Sequence, residues 1–296
     1  VSSYTPRIHR AVVTRITQLT PEMVRITLGG PDMHDYPTTG VGDEYVRMFF
    51  PDHPGEQVRI PYQTDDGWWD YAEGVEPAVM RTYTIRNHRP GEIDVDFVVH
   101  DGGVAANWAG HAHVGDELGL NAPKELYNLP ANATHQVLIA DEPALPAALR
   151  IAELSAGQVT THIVCEVRNA QNKIEPSMPG TRYTWLQGSG NGARPSQLAH
   201  IVRTLDLDSS GTTYVWVAGE TRMTREIRTY LRKTLGLPNP AYKVVGYWTD
   251  KSEQWMQRYE ALDQSVKDQI DELIANAEDL EVALDQVNEI YTRVGL

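Results

Sequence analysis

The hydrophobic pattern of this chain changes period near residue 134, and few folds accommodate both halves. Before that point, apolar residues alternate in short runs closed by Gly and Pro. Val24, Ile26 and Leu28 alternate within one run, and Ile93, Val95, Phe97 and Val99 alternate in another, with Asp94 and Asp96 on the opposite face. Similar runs lie at His9 to Gln18 and Tyr45 to Phe50, while Gly29-Gly30-Pro31-Asp32, Pro54-Gly55 and Asp66-Gly67 read as turns. Many short strands with little helical period indicate a small antiparallel β-barrel.

After residue 134 the apolar runs become continuous: Val137-Leu138-Ile139-Ala140, Thr160 to Val167, Tyr214 to Ala218 and Lys243 to Trp248. Such runs suit parallel strands buried on both faces. Helical spacing separates them, in the segment with Leu145, Leu149, Ile151 and Leu154, in Pro195 to Leu205, and in the segment with Met223, Ile227, Tyr230 and Leu231. Strands alternating with helices predict a doubly wound α/β domain, which binds ligands at the carboxyl ends of its strands. The polar stretch Asn128 to Thr134 reads as a linker. Ser252 to Leu296 reads as a helical tail with Leu262, Val266, Ile270 and Leu273 on one face, suited to capping the domain or to a dimer contact. The expected division is residues 1–127, 135–250 and 251–296.

Composition narrows the function. The net charge is −14, from 40 acidic and 26 basic residues, which argues against nucleic acid or an anionic membrane as partner. Any anionic ligand then needs a local basic patch. A lone cysteine, Cys165 in an apolar run, excludes an internal disulfide and a cysteine-based zinc or iron–sulfur site. His111 and His113 lack a nearby carboxylate pattern, which argues against a metal site. No run reaches the roughly 18 apolar residues of a membrane helix, and the polar start has no signal-peptide pattern. A soluble cytoplasmic protein is expected.

Arg81-Thr82-Tyr83-Thr84 combines forked donors for a phosphate, an aromatic face, and hydroxyls or backbone N–H groups for a ring nitrogen. Taken alone, a polar-edged strand with a core Tyr and a solvated Arg explains it better. The following stretch, His100-Asp101-Gly102-Gly103-Val104-Ala105-Ala106-Asn107-Trp108, reverses that preference. Its glycines allow close backbone approach, and the helix they open offers free N–H groups to a phosphate. There is no GxGxxG motif. Gly188-Ser189-Gly190-Asn191-Gly192 reads as a flexible loop, so a nucleotide is expected at Asp141, Arg168 and Ala218-Gly219-Glu220.

Five ordered pieces together resemble the siderophore-interacting protein family, a branch of the ferredoxin-reductase-like flavoproteins, from about His9 to Trp248. They are Leu19 to Met23 with Leu28 to Pro31, Asp43 to Arg47 with Phe50-Pro51, Arg81 to Thr84, His100 to Trp108, and Val217 to Glu220 with Gly246-Tyr247-Trp248. The resemblance implies a barrel that binds FAD, a domain for NADPH or NADH, and reduction of a ferric siderophore. It places Arg81 on the flavin phosphates, Tyr83 and Thr84 on the isoalloxazine and ribityl, and His100 with the Gly103 to Asn107 backbone on the pyrophosphate or adenosine side. Asp141, Gly219 and Glu220 would line the nicotinamide site, with Trp248 near the flavin face.

The chain departs from the family pattern at Val104 and Ala106, where Pro and Ser are usual, and at Pro143 for Thr, Arg47 for Lys, and Thr249 for Arg. Arg47 and Lys251 are candidates for steering an anionic ferric chelate, and equally good as solvated surface cations. Arg168, following the second buried strand, leans toward NADPH, and Arg222 and Arg225 could assist. Three alternatives stay open: a ferredoxin as donor, a non-catalytic flavin- or siderophore-binding protein, and a general NAD(P)H:flavin or ferredoxin-type reductase.

Overall fold

The computed structural model describes residues 7–64, 69–100, 102–207, 211–277 and 280–296. The turn expected at Asp66-Gly67, and Asp101 of the glycine-rich stretch, lie outside these residues.

The first half builds β1 (His9–Thr20), β2 (Met23–Gly29), β3 (Tyr45–Phe50), β4 (Tyr62–Gln63), β5 (Trp69–Asp70), β6 (Val79–Thr84), β7 (Asn87–Arg89), β8 (Glu92–Val98), α1 (Val104–His111) and β9 (Glu117–Leu120). Seven of these strands form an antiparallel sheet in the order β6-β3-β9-β1-β2-β8-β7, while β4 and β5 pair as a separate ribbon. Edge strand β6 meets β8 across the interior, since the Tyr83 and Phe97 ring centroids lie 4.4 Å apart. The sheet therefore rolls up around one core of Ile26, Leu28, Val46, Met48, Phe50, Val95 and Phe97. Helix α1 plugs it, with Trp108 5.5 Å from Phe50 and 5.9 Å from Phe97.

The alternation in β8 does not leave its polar face in water. Asp94 and Asp96 are both buried. Asp96 holds Arg25 in a forked pair at 2.6 and 2.8 Å. Burial pushes the Asp94 carboxyl up, but hydrogen bonds from Arg89, Asn87 and Thr27 outweigh it and hold Asp94 well below the ordinary carboxylate range.

The second half builds β10 (His135–Asp141), α2 (Leu145–Leu154), β11 (Thr160–Val167), β12 (Thr181–Gln187), α3 (Leu198–Val202), β13 (Thr213–Glu220), α4 (Thr221–Thr229) and β14 (Tyr242–Trp248). All five strands are parallel, in the order β12-β11-β10-β13-β14. The chain starts in the middle, moves out through β11 and β12, and returns on the other side of β10. The switch point therefore lies between the carboxyl ends of β10 and β13. Helix α2 covers one face through Leu145, Leu149 and Ile151. Helices α3 and α4 cover the other through Leu198, Val202, Met223 and Ile227. Helix α3 is shorter than the sequence suggests, because Pro195 to Gln197 stay outside it.

The tail forms α5 (Ser252–Glu260), α6 (Gln264–Ala275) and α7 (Leu280–Val294), with a small core of Ile270, Val287 and Ile290.

The barrel and the α/β unit meet through one partly buried and one buried ionic contact. Arg86 grips Glu153 of α2 at 2.7 and 2.5 Å. Arg150, on the same helix, reaches the Ile85 carbonyl and pairs with the fully buried Glu44 at 2.9 Å. A Cβ at Gly42 would fall 2.5 Å from the Ile151 Cα, so glycine sets how closely the two units approach. Asp43 bridges them further, taking backbone N–H groups from Leu126 and Tyr127 on one oxygen and Trp216 Nε1 on the other.

Candidate flavin and nucleotide site

Strand β6 lies beside β3 with Met48 opposite Arg81, Arg47 opposite Thr82, and Tyr83 opposite Val46. Arg81 is exposed, its Nη1 donating to the neighbouring Met80 carbonyl at 2.8 Å. Thr82 and Arg47 are exposed as well. Tyr83 packs its ring on Phe97 and Phe50, and burial pushes its phenol up. Thr84 is buried. The Tyr247 hydroxyl approaches its Oγ1 without a hydrogen bond of good geometry, leaving Thr84 Oγ1 unsatisfied.

Gly102 and Gly103 adopt φ 93° and 85°, conformations that suit glycine. Space around Gly102 is open, and only the His100 ring stands near Gly103, 3.8 Å from where a Cβ would be. Gly103 is the N-cap of α1 and offers no side chain, so the N–H groups of Val104, Ala105 and Ala106 carry no cap. The Asn107 N–H is already taken by the Gly103 carbonyl at 3.0 Å. An uncapped helix start, an exposed guanidinium and an orphaned buried hydroxyl fit a phosphorylated ring ligand such as a flavin dinucleotide.

The second half contributes a cavity of about 1200 Å³ at the switch point. Asp141 is part of its wall: Oδ2 accepts from Trp248 Nε1 at 2.7 Å and from the Glu220 N–H at 2.8 Å, and Oδ1 accepts from the Ala144 N–H at 3.2 Å. Burial pushes Asp141 up to about 7 against these three hydrogen bonds. Gly219 makes the arrangement possible, because a Cβ there would stand 2.6 Å from Asp141 Oδ2. Glu220 caps α4 by accepting the Met223 N–H at 3.0 Å. Ala218 is buried in the α2-side core.

Other expected residues are placed differently. Arg168 does not line the cavity. Its Nη2 donates to the Asn191 carbonyl at 2.9 Å, and its Nη1 lies 3.7 Å from Glu22 of the barrel. The Arg168 guanidinium thus sits at the junction between the units. Lys251, in left-handed conformation at the start of α5, lines the cavity, whereas Arg47 stays on the barrel surface and does not. The two expected substrate cations thus belong to separate surfaces.

The glycine-rich loop is not the loose segment that its composition suggests. Ser189 and Asn191 are buried. Ser189 Oγ donates to Glu166 at 2.6 Å, and Asn191 accepts the Glu142 N–H at 3.0 Å. At Gly190 any Cβ would collide with the Glu166 carboxylate. The loop is held this tightly because the buried Glu166 needs donors, and Gly190 to Gly192 thereby form part of the cavity wall. A carboxylate near the end of an otherwise apolar run was the available signal for Glu166. The lining cations Arg194, Arg203 and Arg258 carried no signal in sequence, since exposed arginines are common.

The two sites share a border. Thr84 ends the barrel strand that bears the expected flavin residues, and it meets Tyr247 of β14; the next residue, Trp248, is bonded to Asp141. A barrel joined to a parallel sheet in this way defines the class of two-domain, ferredoxin-reductase-like proteins. Ferredoxin reductase in carbazole 1,9a-dioxygenase has the same fold, with a TM-score of 0.60 over 84% of this chain and 70% of that one, at 13% identity.

Residues 12–127 match the siderophore-interacting FAD-binding domain, and residues 133–251 match the siderophore-interacting protein domain. A siderophore utilization protein from T. fusca is 31% identical, with a TM-score of 0.71 over 83% of this chain and 94% of that one. The NADPH-dependent ferric-chelate reductase of Escherichia coli is 27% identical over 228 residues, 75% of this chain and 85% of that protein. The chain belongs to the siderophore-interacting protein family, and its first half is that family's FAD-binding domain.

Proposed function

We propose that this protein is a ferric-siderophore reductase, moving electrons from a nicotinamide nucleotide through FAD to iron(III) in a siderophore and releasing iron(II) in the cytoplasm. The contact between the barrel strand β6 and the Asp141 cavity, made through Thr84, Tyr247 and Trp248, carries this reading. It sets the expected flavin residues of β6 beside the residues that wall a cavity of about 1200 Å³. The name of the Escherichia coli relative supports NADPH as the donor.

In this reading residues 1–127 hold FAD, residues 135–250 hold the nucleotide, and residues 251–296 are the helical extension. Arg81 would pair with the flavin phosphates, and the Gly102 to Ala106 backbone would donate to the pyrophosphate beside His100 and Asn107. Thr82, Tyr83 and Thr84 would flank the ring system, with Thr84 Oγ1 supplying a buried hydroxyl beside Tyr247. When bound, FAD supplies the conversion of a two-electron hydride into single electrons. The chain's own share is positional. Asp141 holds Trp248 at the border, Gly219 leaves room for Asp141, and Glu220 fixes the start of α4. Among the described residues no cluster of His, Cys, Asp or Glu could hold a metal ion, and iron enters as substrate. Hard oxygen ligands hold iron(II) poorly, so reduction releases it. Arg47 and Lys251 would attract the anionic chelate against the −14 net charge.

An anaerobic stopped-flow experiment tests this. NADPH should bleach the yellow flavin band, and a ferric siderophore should restore it. A protein purified without flavin under flavin-replete expression would defeat the proposal. Bleaching only by a reduced ferredoxin would move the donor role away from the nucleotide.

A further inference from the structure

The family match ends at Lys251, yet the nucleotide cavity continues beyond it. Trp255 and Arg258 of α5 and Asn288 of α7 line the same space as Arg225 of α4. Two donors in this wall, Trp255 Nε1 and Asn288 Nδ2, are buried without a hydrogen-bond partner among the described residues. An indole N–H can only donate, so an acceptor must satisfy it, and leaving it unmade is unfavourable.

The cations are arranged as well as present. The Arg225 guanidinium sits 4.6 Å from the Tyr291 ring centroid of α7. Tyr291 is itself packed edge-on against Trp255 at 5.6 Å, and Trp255 stacks on Tyr259 at 5.4 Å. The tail aromatics thus support Arg225 without consuming its donors. Neither Arg225 nor Arg258 has an ion pair among the described residues. Of the carboxylates that line the cavity, Glu226 pairs with Arg203 at 3.1 Å, and Asp141 and Glu220 accept from Trp248 and from backbone N–H groups; Asp250 lines it too.

We infer that the C-terminal helices complete the nucleotide site, with Arg258 and the Tyr291-supported Arg225 taking a phosphate on the ribose 2′ position of the donor. The inference rests on the nucleotide reading above and makes the tail the determinant of preference for the phosphorylated dinucleotide. Two planar guanidinium forks and an indole N–H match a dianion with three acceptor oxygens. A donor lacking that phosphate would bury the same cations and N–H groups without giving them an acceptor.

The test is calorimetric titration of the flavin-loaded protein with adenosine 2′,5′-bisphosphate and with 5′-AMP, which needs no turnover. The bisphosphate should bind more tightly. Arg258→Gln and Tyr291→Leu should each lower that advantage about tenfold, while Tyr291→Phe, which keeps a ring beneath Arg225, preserves it. Arg258 is exposed, so its variant folds even if Tyr291→Leu does not. Equal binding of the two ligands by the unsubstituted protein, or an undiminished advantage in Arg258→Gln, would overturn the inference. Failure of the reductase reading would appear separately, as a flavin band that no nucleotide bleaches.

Discussion

Asp141 is fully buried yet accepts three hydrogen bonds, and the conflict sets its protonation. Its carboxyl stands at about 7 in the folded protein against 3.8 ordinarily. Between those values the folded chain holds a proton that the unfolded chain has released. Asp141 therefore favours folding at the acid end and loses that contribution as pH rises through 7. The stability of the unsubstituted protein relative to Asp141→Asn should fall by about 3 kcal/mol from pH 5 to pH 8 in urea unfolding. A pH-independent difference would place the proton elsewhere. Gly219→Ala tests the same spot sterically. Its Cβ would meet Asp141 Oδ2 at 2.6 Å and Met223 Cε at 2.8 Å, at a φ of 150°. A cost of roughly 1–3 kcal/mol is expected from thermal melts, with weakened nucleotide binding as Asp141 is displaced. Sequence pattern alone singled out both residues, because each ends an apolar strand where an α/β domain binds its ligand. It placed Arg168 there too, and nothing local shows that the Asn191 carbonyl and Glu22 of the barrel will engage its guanidinium.

Helix α1 combines weak helix-start chemistry with an open front. Gly103 supplies no capping oxygen, so the first N–H groups of α1 carry no side-chain cap. Gly103→Asp and Gly103→Asn therefore separate strain from charge. Each places a side chain at φ 85°, ψ 135°, a conformation that essentially only glycine adopts, at a cost of about 1–3 kcal/mol. The two variants should melt alike, below the unsubstituted protein, whereas the flavin retained on purification, read from the visible spectrum, should fall further in Gly103→Asp because its carboxylate repels phosphate. Retention equal to that of the unsubstituted protein would mean that α1 does not hold the pyrophosphate. At this scale most elements were legible from period and punctuation. Strand β12 was not: it lies at the sheet edge, half-exposed along its length, and so lacks the continuous apolar run that marked its neighbours.

The whole molecule depends on how α2 seats against the barrel. Arg150 is buried between the Ile85 carbonyl and Glu44, and Arg86 crosses in the other direction to Glu153. Arg150→Ala would leave Glu44 buried with only its Thr38 and Thr39 donors. We expect a loss of about 3–5 kcal/mol and, in calorimetry, a single transition splitting into two as the units uncouple. A single transition at an unchanged temperature would show that the apolar contacts suffice. Because Thr84 and Tyr247 belong to different units, the same variant should also slow flavin bleaching by the nucleotide.

Hydrophobic period determined the two-part architecture, and among the residues ending its strands Asp141 and Glu220 line the cavity at the switch point, because burial on one face or two imposes itself on every strand locally. Tertiary structure alone decided which polar groups remain available there. Glu166 draws the glycine-rich loop into the cavity wall, and Glu22 removes Arg168 from it. The tail helices bring Arg225, Arg258 and Trp255 to one cavity. Such choices are settled by pairing among buried charges and donors far apart in the chain, and a pattern read along one segment does not contain the partner's position.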